Sequence, residues 1–207
     1  MAKKQGILFI VSAPSGVGKT SLVKNLLELV PNLYLSISHT TRVKRPNEID
    51  KIHYHFVSKA EFESLAESDE FLEYAEVFDN LYGTSKSWVE KQLEDGKNII
   101  LEIDWQGAKQ VKEKIKNTVS IFILPPSYES LKSRLISRGD DNDTISRRMQ
   151  EARSQIIHYN DYDFVVINDD FKEAVKELQD IVGMTKQNYI QQVGHYNDFV
   201  NGLLKDG

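Results

Sequence analysis

The sequence predicts an α/β protein in which a parallel sheet is wrapped by helices, and three observations carry that prediction. Short apolar runs of strand length alternate with helical periodicity from Ile7 to Val182. That alternation suits parallel strands, which need helical crossovers between them. The first run, Ile7 to Val11, leads directly into a Gly/Ser turn and then a helix. Between about residues 38 and 84 the pattern changes to short alternating strands and polar loops, marking a small β-rich lobe inserted into the main unit.

The 207 residues are enough for one good core with small appended lobes, with 28% charged and 40% hydrophobic residues, as in ordinary globular chains. A net charge of −5 argues against a general nucleic-acid binder. The chain has no cysteine, so disulfides and thiolate chemistry are excluded. No apolar run approaches the 18 residues of a membrane span, and the first is too short for a signal peptide. A cytoplasmic protein is expected, with no nucleic-acid or membrane partner.

The turn after the first strand reads Ala13-Pro-Ser-Gly-Val-Gly-Lys-Thr20. It fits the phosphate-loop pattern G-x-x-x-x-G-K-[ST] except for Ala13 in the first place. Backbone N–H groups cradle the phosphates in such a loop, Gly16 and Gly18 permit close approach, and the following helix points its positive end there. Lys19 would reach the terminal phosphates and the Thr20 hydroxyl would hold Mg²⁺ through them. A ligand-free turn is the plain alternative. The preceding strand and the stripe Leu22, Val23, Leu26, Leu27 and Val30 favour nucleotide binding.

That helix stops at Pro31-Asn32, and Leu33 to Ser38 alternates like a strand. The basic stretch Ser38 to Glu48 has no periodicity and reads as a binding or connecting loop. His53 to Val57 is strand-like, and Ser58-Lys-Ala-Glu61 is a capping box opening a helix with Phe62, Leu65 and Ala66 inward. Glu70 to Phe78 reads as a strand with Phe71, Glu73, Ala75 and Val77 on one face. Asp79-Asn80 turns it back into Leu81-Tyr82-Gly83. A helix from Ser87 to Asp95 ends at Gly96, and Asn98 to Asp104 is a buried strand ending in acids. A helix through Ala108, Val111 and Ile115 follows, then a strand from Val119 to Leu124. Pro125-Pro126 breaks the chain before a helix carrying Leu131 and Leu135. After the polar gap 138–143 come a helix from about Thr144 to Tyr159, the strand Phe164 to Ile167, and a helix with Val175, Leu178 and Val182. The polar extension from Gln187 onward has no task assigned. Ligands of such sheets bind beyond the carboxyl ends of the strands, where the phosphate loop, Asp104 and Asn168 would meet.

Glu102 and Asp104 lie two apart on a strand and can aim at one site, near Mg²⁺ or substrate; solvated acids at a strand end are the alternative. Asp104-Trp-Gln-Gly107 also fits the D-x-x-G of GTPases, but no base-reading N-K-x-D follows. Arg42 and Arg45, with Tyr54 and Tyr82 nearby, suit an isolated monophosphate. Arg134, Arg138 and Arg148 flank the polar gap and could gather over a triphosphate, against the alternative of solvated arginines. His53-x-His55 lacks a third ligand for zinc. The Arg42-Val-Lys-Arg45 run lacks the aromatic interleaving of nucleic-acid grooves.

Taken together, these motifs resemble the guanylate kinase family. The resemblance rests on Ala-Pro-Ser-Gly-Val-Gly-Lys19, Ser38-His-Thr-Thr-Arg42-x-x-Arg45, Glu48 with Tyr54, and Phe71-x-Glu73-Tyr. Tyr82-Gly83-Thr84, Leu101-Glu-Ile-Asp-x-Gln-Gly107, Arg134-x-x-x-Arg138-Gly and Asn168-Asp-Asp complete it, covering about residues 6–185. Asn47 and Lys51 depart from the pattern, standing where the family usually has glycine.

The resemblance implies a P-loop kinase fold forming a single domain over 1–207. Its core would span 1–37 and 85–207, its GMP-binding lobe 38–84 and its lid about 138–148. It implies ATP-dependent phosphorylation of GMP to GDP, with ATP, GMP and Mg²⁺ bound. The ATP side would be Ala13, Pro14, Ser15, Gly16, Val17, Gly18, Lys19, Thr20 and Ser21, with Asn168 near adenine. Ser38, Glu73 and Thr84 would surround guanine, and Arg42, Arg45, Tyr54 and Tyr82 the GMP phosphate, with Glu48, Gly83, Glu102 and Asp104 completing that side. Lys19, Arg42, Arg134, Arg138 and Arg148 would be catalytic. A homodimer is left open. A peptide-binding scaffold of the same family would lack the loop's lysine and glycines, and a kinase of another monophosphate is the nearer rival.

Overall fold

The computed structural model describes residues 5–137, 139 and 141–184. The chain runs β1 (Leu8–Ser12), α1 (Lys19–Leu29), β2 (Leu33–Leu35), β3 (His39–Thr40), β4 (His55–Phe56) and α2 (Lys59–Glu67). It continues with β5 (Phe71–Val77), β6 (Asn80–Ser85), α3 (Lys86–Glu94), β7 (Asn98–Glu102), α4 (Trp105–Lys114) and β8 (Thr118–Leu124). Then come α5 (Tyr128–Ser137), α6 (Asn142–Ile156), a 3₁₀ turn (Ile157–Asp161), β9 (Phe164–Ile167) and a last helix, α7, over residues 171–184.

The predicted parallel sheet is present, with strand order β2-β7-β1-β8-β9 and every pairing parallel. All five residues of β1 are buried, as the central strand of a sheet covered on both faces must be. Alternation along β1 divides the core. Phe9 and Val11 pack with Leu22, Val23 and Leu26 of α1, Leu131 of α5 and Leu178 of α7. Leu8 and Ile10 pack on the other face with Val89 and Leu93 of α3 and Ala108 and Val111 of α4.

Residues 39–85 build a second, four-stranded sheet of order β4-β3-β6-β5. The capping box predicted at Ser58 forms in full: Ser58 Oγ accepts from Glu61 N–H, and the Glu61 carboxylate accepts from Ser58 N–H at 2.8 Å.

Several local expectations differ. The strand expected at Leu33 to Ser38 is only β2, and β3 falls inside the stretch read as loop. Two residues are too few to show periodicity, and β3 is held by its pairing with Gly83 and Tyr82 on one side and β4 on the other. The hairpin turn comes one residue earlier than expected: Phe78 (φ 52°) and Asp79 (φ 60°) are both left-handed, between the paired Val77 and Asn80. That geometry matches the right-handed twist of the flanking strands, which overrides the local preference of phenylalanine. A bulge between Phe71 and Glu73 also breaks the expected alternation in β5. Phe71 and Tyr74 both turn toward Phe62 of α2, with ring centroids at 4.6 and 6.3 Å. Glu73 is sent to the α4 side, against Gly107.

Candidate active site

The carboxyl end of β1 opens into the phosphate loop, where Gly16 (φ 91°) and Gly18 (φ 102°) hold left-handed conformations that a side chain would strain. A Cβ on Gly16 would also press on Leu135 of α5. The Val17 carbonyl accepts from Arg134 Nη1 at 2.9 Å and from Asn168 Nδ2 at 2.7 Å, and Arg134 Nη2 donates to the Asn168 carbonyl at 2.8 Å. Arg134 and Asn168, drawn from α5 and the end of β9, therefore brace the loop together. Lys19 opens α1 at the loop's end. Burial pushes its ammonium below the ordinary lysine range, and the carboxylates of Glu102, Asp104 and Glu73 act in the opposite direction.

Glu102 and Asp104 take different partners. Thr20 Oγ1 donates to Glu102 Oε2 at 3.0 Å, while Glu102 Oε1 is buried without a hydrogen-bond partner. Asp104 caps α4, its Oδ1 accepting from Gly107 N–H at 2.9 Å. Both carboxylates remain close enough to act on the Lys19 charge.

Glu73 is 3% exposed, a carboxylate inside the protein. Thr84 Oγ1 donates to its Oε1 at 2.5 Å across the β5–β6 pairing. Gly107, at the start of α4, faces its Oε2, and any side chain there would run into the carboxylate. Burial raises the Glu73 pKa to about 7, assisted by Asp104 and opposed by the Thr84 hydroxyl, Lys114 and Lys19. A buried carboxylate with spare acceptor capacity suits a ligand that brings two donors.

The same small sheet carries a cationic, phenolic cluster of side chains. Arg42 meets Glu48 in a fork, Nη2 to Oε1 at 2.7 Å and Nη1 to Oε2 at 3.0 Å. That pairing holds Glu48 below the usual carboxylate range. The Arg42 guanidinium lies 5.4 Å from the Tyr54 ring centroid, and Tyr54 packs edge-on against Tyr82 at 5.9 Å. Tyr54 is pushed up to about 12, chiefly by burial, so it stays a hydroxyl donor. Arg45 is exposed on the same loop, where its N–H donates to Glu48 Oε2 at 2.8 Å. Ser38 precedes β3 and is half-buried, and its carbonyl accepts from His55 N–H.

His53 and His55 do not converge. His53 Nδ1 accepts from Ile49 N–H at 2.9 Å, whereas the His55 ring stacks on His39 at 4.5 Å. Arg148 lies on α6 with its guanidinium 5.7 Å from the Phe78 ring at the β5–β6 turn. Arg138 lies outside the described residues. A cavity of about 470 Å³ between α4 and the 3₁₀ turn, lined by Trp105, Lys112, His158 and Tyr162 among others, holds none of these site residues.

Two sets of contacts were not anticipated from the sequence. Gln110 and Lys114 of α4 grip the backbone of β5 on either side of Glu73. Arg147 of α6 pairs with Asp79 at the hairpin turn. The helical spacing of Gly107, Gln110 and Lys114 is the one sign the sequence offered of the first set.

A family model described as guanylate kinase matches residues 5–185 of the chain. A protein named guanylate kinase from Photobacterium profundum is 50% identical over 205 residues, 98% of this chain and 99% of that protein. Another of that name, from Pseudoalteromonas translucida, is 48% identical over 206 residues, 99% of this chain and all of that one (100%). Among solved structures, the crystal structure of guanylate kinase from Anaplasma phagocytophilum superposes with a TM-score of 0.75 at 35% identity, covering 89% of this chain and 88% of that one.

Proposed function

The chain belongs to the guanylate kinase family, nucleoside monophosphate kinases that phosphorylate GMP, and from that premise we propose how its residues divide the reaction ATP + GMP = ADP + GDP. The phosphate loop Ala13 to Ser21 takes the ATP phosphates, and Asn168 borders the adenine. Ser38, Glu73 and Thr84 take guanine. Arg42, Arg45, Tyr54 and Tyr82 take the GMP phosphate, with Glu48, Gly83, Glu102 and Asp104 lining that side.

The observation that carries this reading is the buried Glu73 carboxylate beside Thr84. Guanine offers N1–H and the N2 amino group side by side, and one carboxylate can accept both. The Arg42 fork is the second half of the reading. Glu48 occupies it in the free protein, and the GMP phosphate, a doubly charged acceptor, would join or displace that carboxylate.

Phosphoryl transfer then asks mainly for in-line positioning and positive charge. Lys19, at the junction of loop and α1, follows the migrating group. Arg42 steadies the acceptor, and Arg134, bracing the loop, fixes the donor, while Arg138 and Arg148 are assigned to the lid. The residues fit a Mg²⁺ held mainly by phosphate oxygens, since Glu102 carries a buried oxygen without partner and the Thr20 hydroxyl stands beside it. Among the described residues no group of three His, Asp or Glu side chains could hold a metal alone. When bound beside the Thr20 hydroxyl and Glu102, the ion would supply positive charge that offsets the negative charge of the ATP phosphates.

The lobe 38–84 and the lid about 138–148 close over both nucleotides and exclude water, which would otherwise consume ATP. We place the enzyme in the cytoplasm, where its substrates are held; no helix among the described residues is long and apolar enough to cross a membrane.

A coupled ATP-consumption assay across GMP, AMP, dTMP and CMP tests the reading. GMP should be the preferred acceptor by a wide margin. Preference for another monophosphate would remove Glu73 from its role.

A further inference from the structure

We infer that Gln110 and Lys114 of α4 are positioning residues for Glu73 and thereby set how well the chain recognises guanine. The inference rests on the reading of Glu73 as the group that accepts from the base.

Among the described residues, β5 is the outer strand of the four-stranded sheet and pairs only with β6. Such an edge carries unpaired backbone groups and is free to shift. It is weakest where the bulge between Phe71 and Glu73 interrupts the ladder. Glu73 sits at that weak point.

Side chains from α4 supply what a further strand would have supplied. Tyr74 N–H donates to Gln110 Oε1 at 3.2 Å, and Gln110 Nε2 donates to the Tyr74 carbonyl at 2.7 Å. The carboxamide thus imitates the peptide group of a neighbouring strand. One turn further along α4, Lys114 Nζ donates to the Leu72 carbonyl at 2.6 Å.

The Leu72 carbonyl belongs to the peptide unit before the Glu73 Cα, and the Tyr74 N–H to the unit after it. Fixing both planes fixes the φ and ψ of Glu73, the only soft backbone torsions that aim its side chain. Gly107 on the same helix face allows the carboxylate to approach α4 closely.

The clamp has an opponent. A buried carboxylate gains by turning toward water, and an unclamped edge strand would let it do so. If only a fraction of molecules hold Glu73 in place, the apparent dissociation constant for GMP rises by the inverse of that fraction. The ATP side, on β1, α1 and α5, lies outside the clamp.

Neither residue is needed for the core. α4 is anchored through Ala108 and Val111, whereas Gln110 is half-buried and Lys114 exposed.

The test uses the full chain with Gln110→Met, Lys114→Met and Lys114→Arg, measuring GMP affinity by calorimetry and steady-state constants for GMP, AMP and ATP. Gln110→Met should weaken GMP binding about tenfold and Lys114→Met several-fold, from the loss of two and one hydrogen bonds. The kcat at saturating GMP and the KM for ATP should stay within about twofold, the usual scale of a surface change. The GMP-over-AMP preference should fall by the same factor as GMP affinity, and Lys114→Arg should restore it. GMP affinity unchanged in both methionine variants would overturn the inference, as would equal losses for ATP and GMP with a lowered Tm. Glu73→Gln run alongside separates the two levels. If it weakens GMP while the α4 variants do not, the clamp is wrong and the reading of Glu73 stands. If it too leaves GMP unchanged, the reading of Glu73 fails.

Discussion

Asp79, at the tip of the β5–β6 hairpin, and Arg147, on α6, meet at 2.9 Å and tie the inserted sheet to the helix that follows the polar gap. The Phe78 ring lies under both Arg147 and Arg148, each guanidinium 5.7 Å from its centroid. The contact thus joins the two segments assigned to close on substrate. Both partners of the ion pair are more than half exposed, so its contribution to folding is small. On the proposed reading, its effect belongs to closure. Asp79→Ala should leave the urea midpoint nearly unchanged while raising the KM for both nucleotides a few-fold, and the difference from the parent should shrink at high salt. A shift in the midpoint with unchanged KM would make the contact purely structural.

The raised pKa of Glu73 predicts a pH dependence whose sign follows from its charge. Below about pH 7 the free protein holds Glu73 as a neutral acid, which cannot accept from both guanine donors. The kcat/KM for GMP should therefore fall as pH drops below about 7, while kcat at saturating GMP changes less, because bound donors favour the carboxylate. A Glu73→Gln profile lacking this acid limb would assign it to Glu73. The stability change runs the other way. The folded state holds a proton between about pH 4.5 and 7 that the unfolded chain has released. This contribution to stability is therefore present below pH 4.5 and lost as pH rises through 7. At about 1.4 kcal/mol per unit it amounts to roughly 3 kcal/mol. The ligand-free protein should lose Tm from pH 5 to 8 more steeply than Glu73→Gln does.

Lys19→Met tests the donor side. A charge that follows the migrating phosphoryl group contributes most in the transition state, so kcat should fall by roughly 100-fold or more while GMP affinity barely changes. A comparable loss of GMP affinity with kcat intact would move Lys19 to the acceptor site.

Much of this was legible in the sequence because the signals were local. The phosphate loop is a contiguous motif, the capping box at Ser58 a four-residue one, and the sheet an alternation of apolar runs. The bulge at Phe71–Glu73 was not legible, because it depends on pairing with β6, and it reversed the face of Phe71. Nor was the two-residue β3, which exists only through its partners. The phosphate loop, Arg42, Arg45, Tyr54 and Tyr82 were singled out by type and spacing, and Ser38, Glu73, Thr84 and Asn168 through the family resemblance, but the contacts these residues make were not legible. Arg134 and Asn168 grip the Val17 carbonyl, and Asp104 caps a helix, relations set by chain segments far apart in sequence.

Lys51 links the sequence departure to the structure. It stands where a glycine is usual and adopts φ 62°, a left-handed conformation that costs a residue with a Cβ. Lys51→Gly should raise stability by roughly 0.5–1 kcal/mol. Urea unfolding of the two proteins would show it, and no gain would mean that the loop accommodates the lysine without strain.

Base selectivity is assigned to Glu73, and its most direct measurement is kcat/KM for GMP and AMP in the parent protein and in Glu73→Gln. Adenine sets an unprotonated N1 against the carboxylate, and sites built to pair a substrate group reject analogues lacking it by about 10⁴-fold. The parent should show a preference for GMP of that order, and Glu73→Gln should reduce it chiefly by lowering the GMP value. A GMP value within about threefold of the parent's, close to the scale of an ordinary surface substitution, would contradict the assignment of base recognition to Glu73.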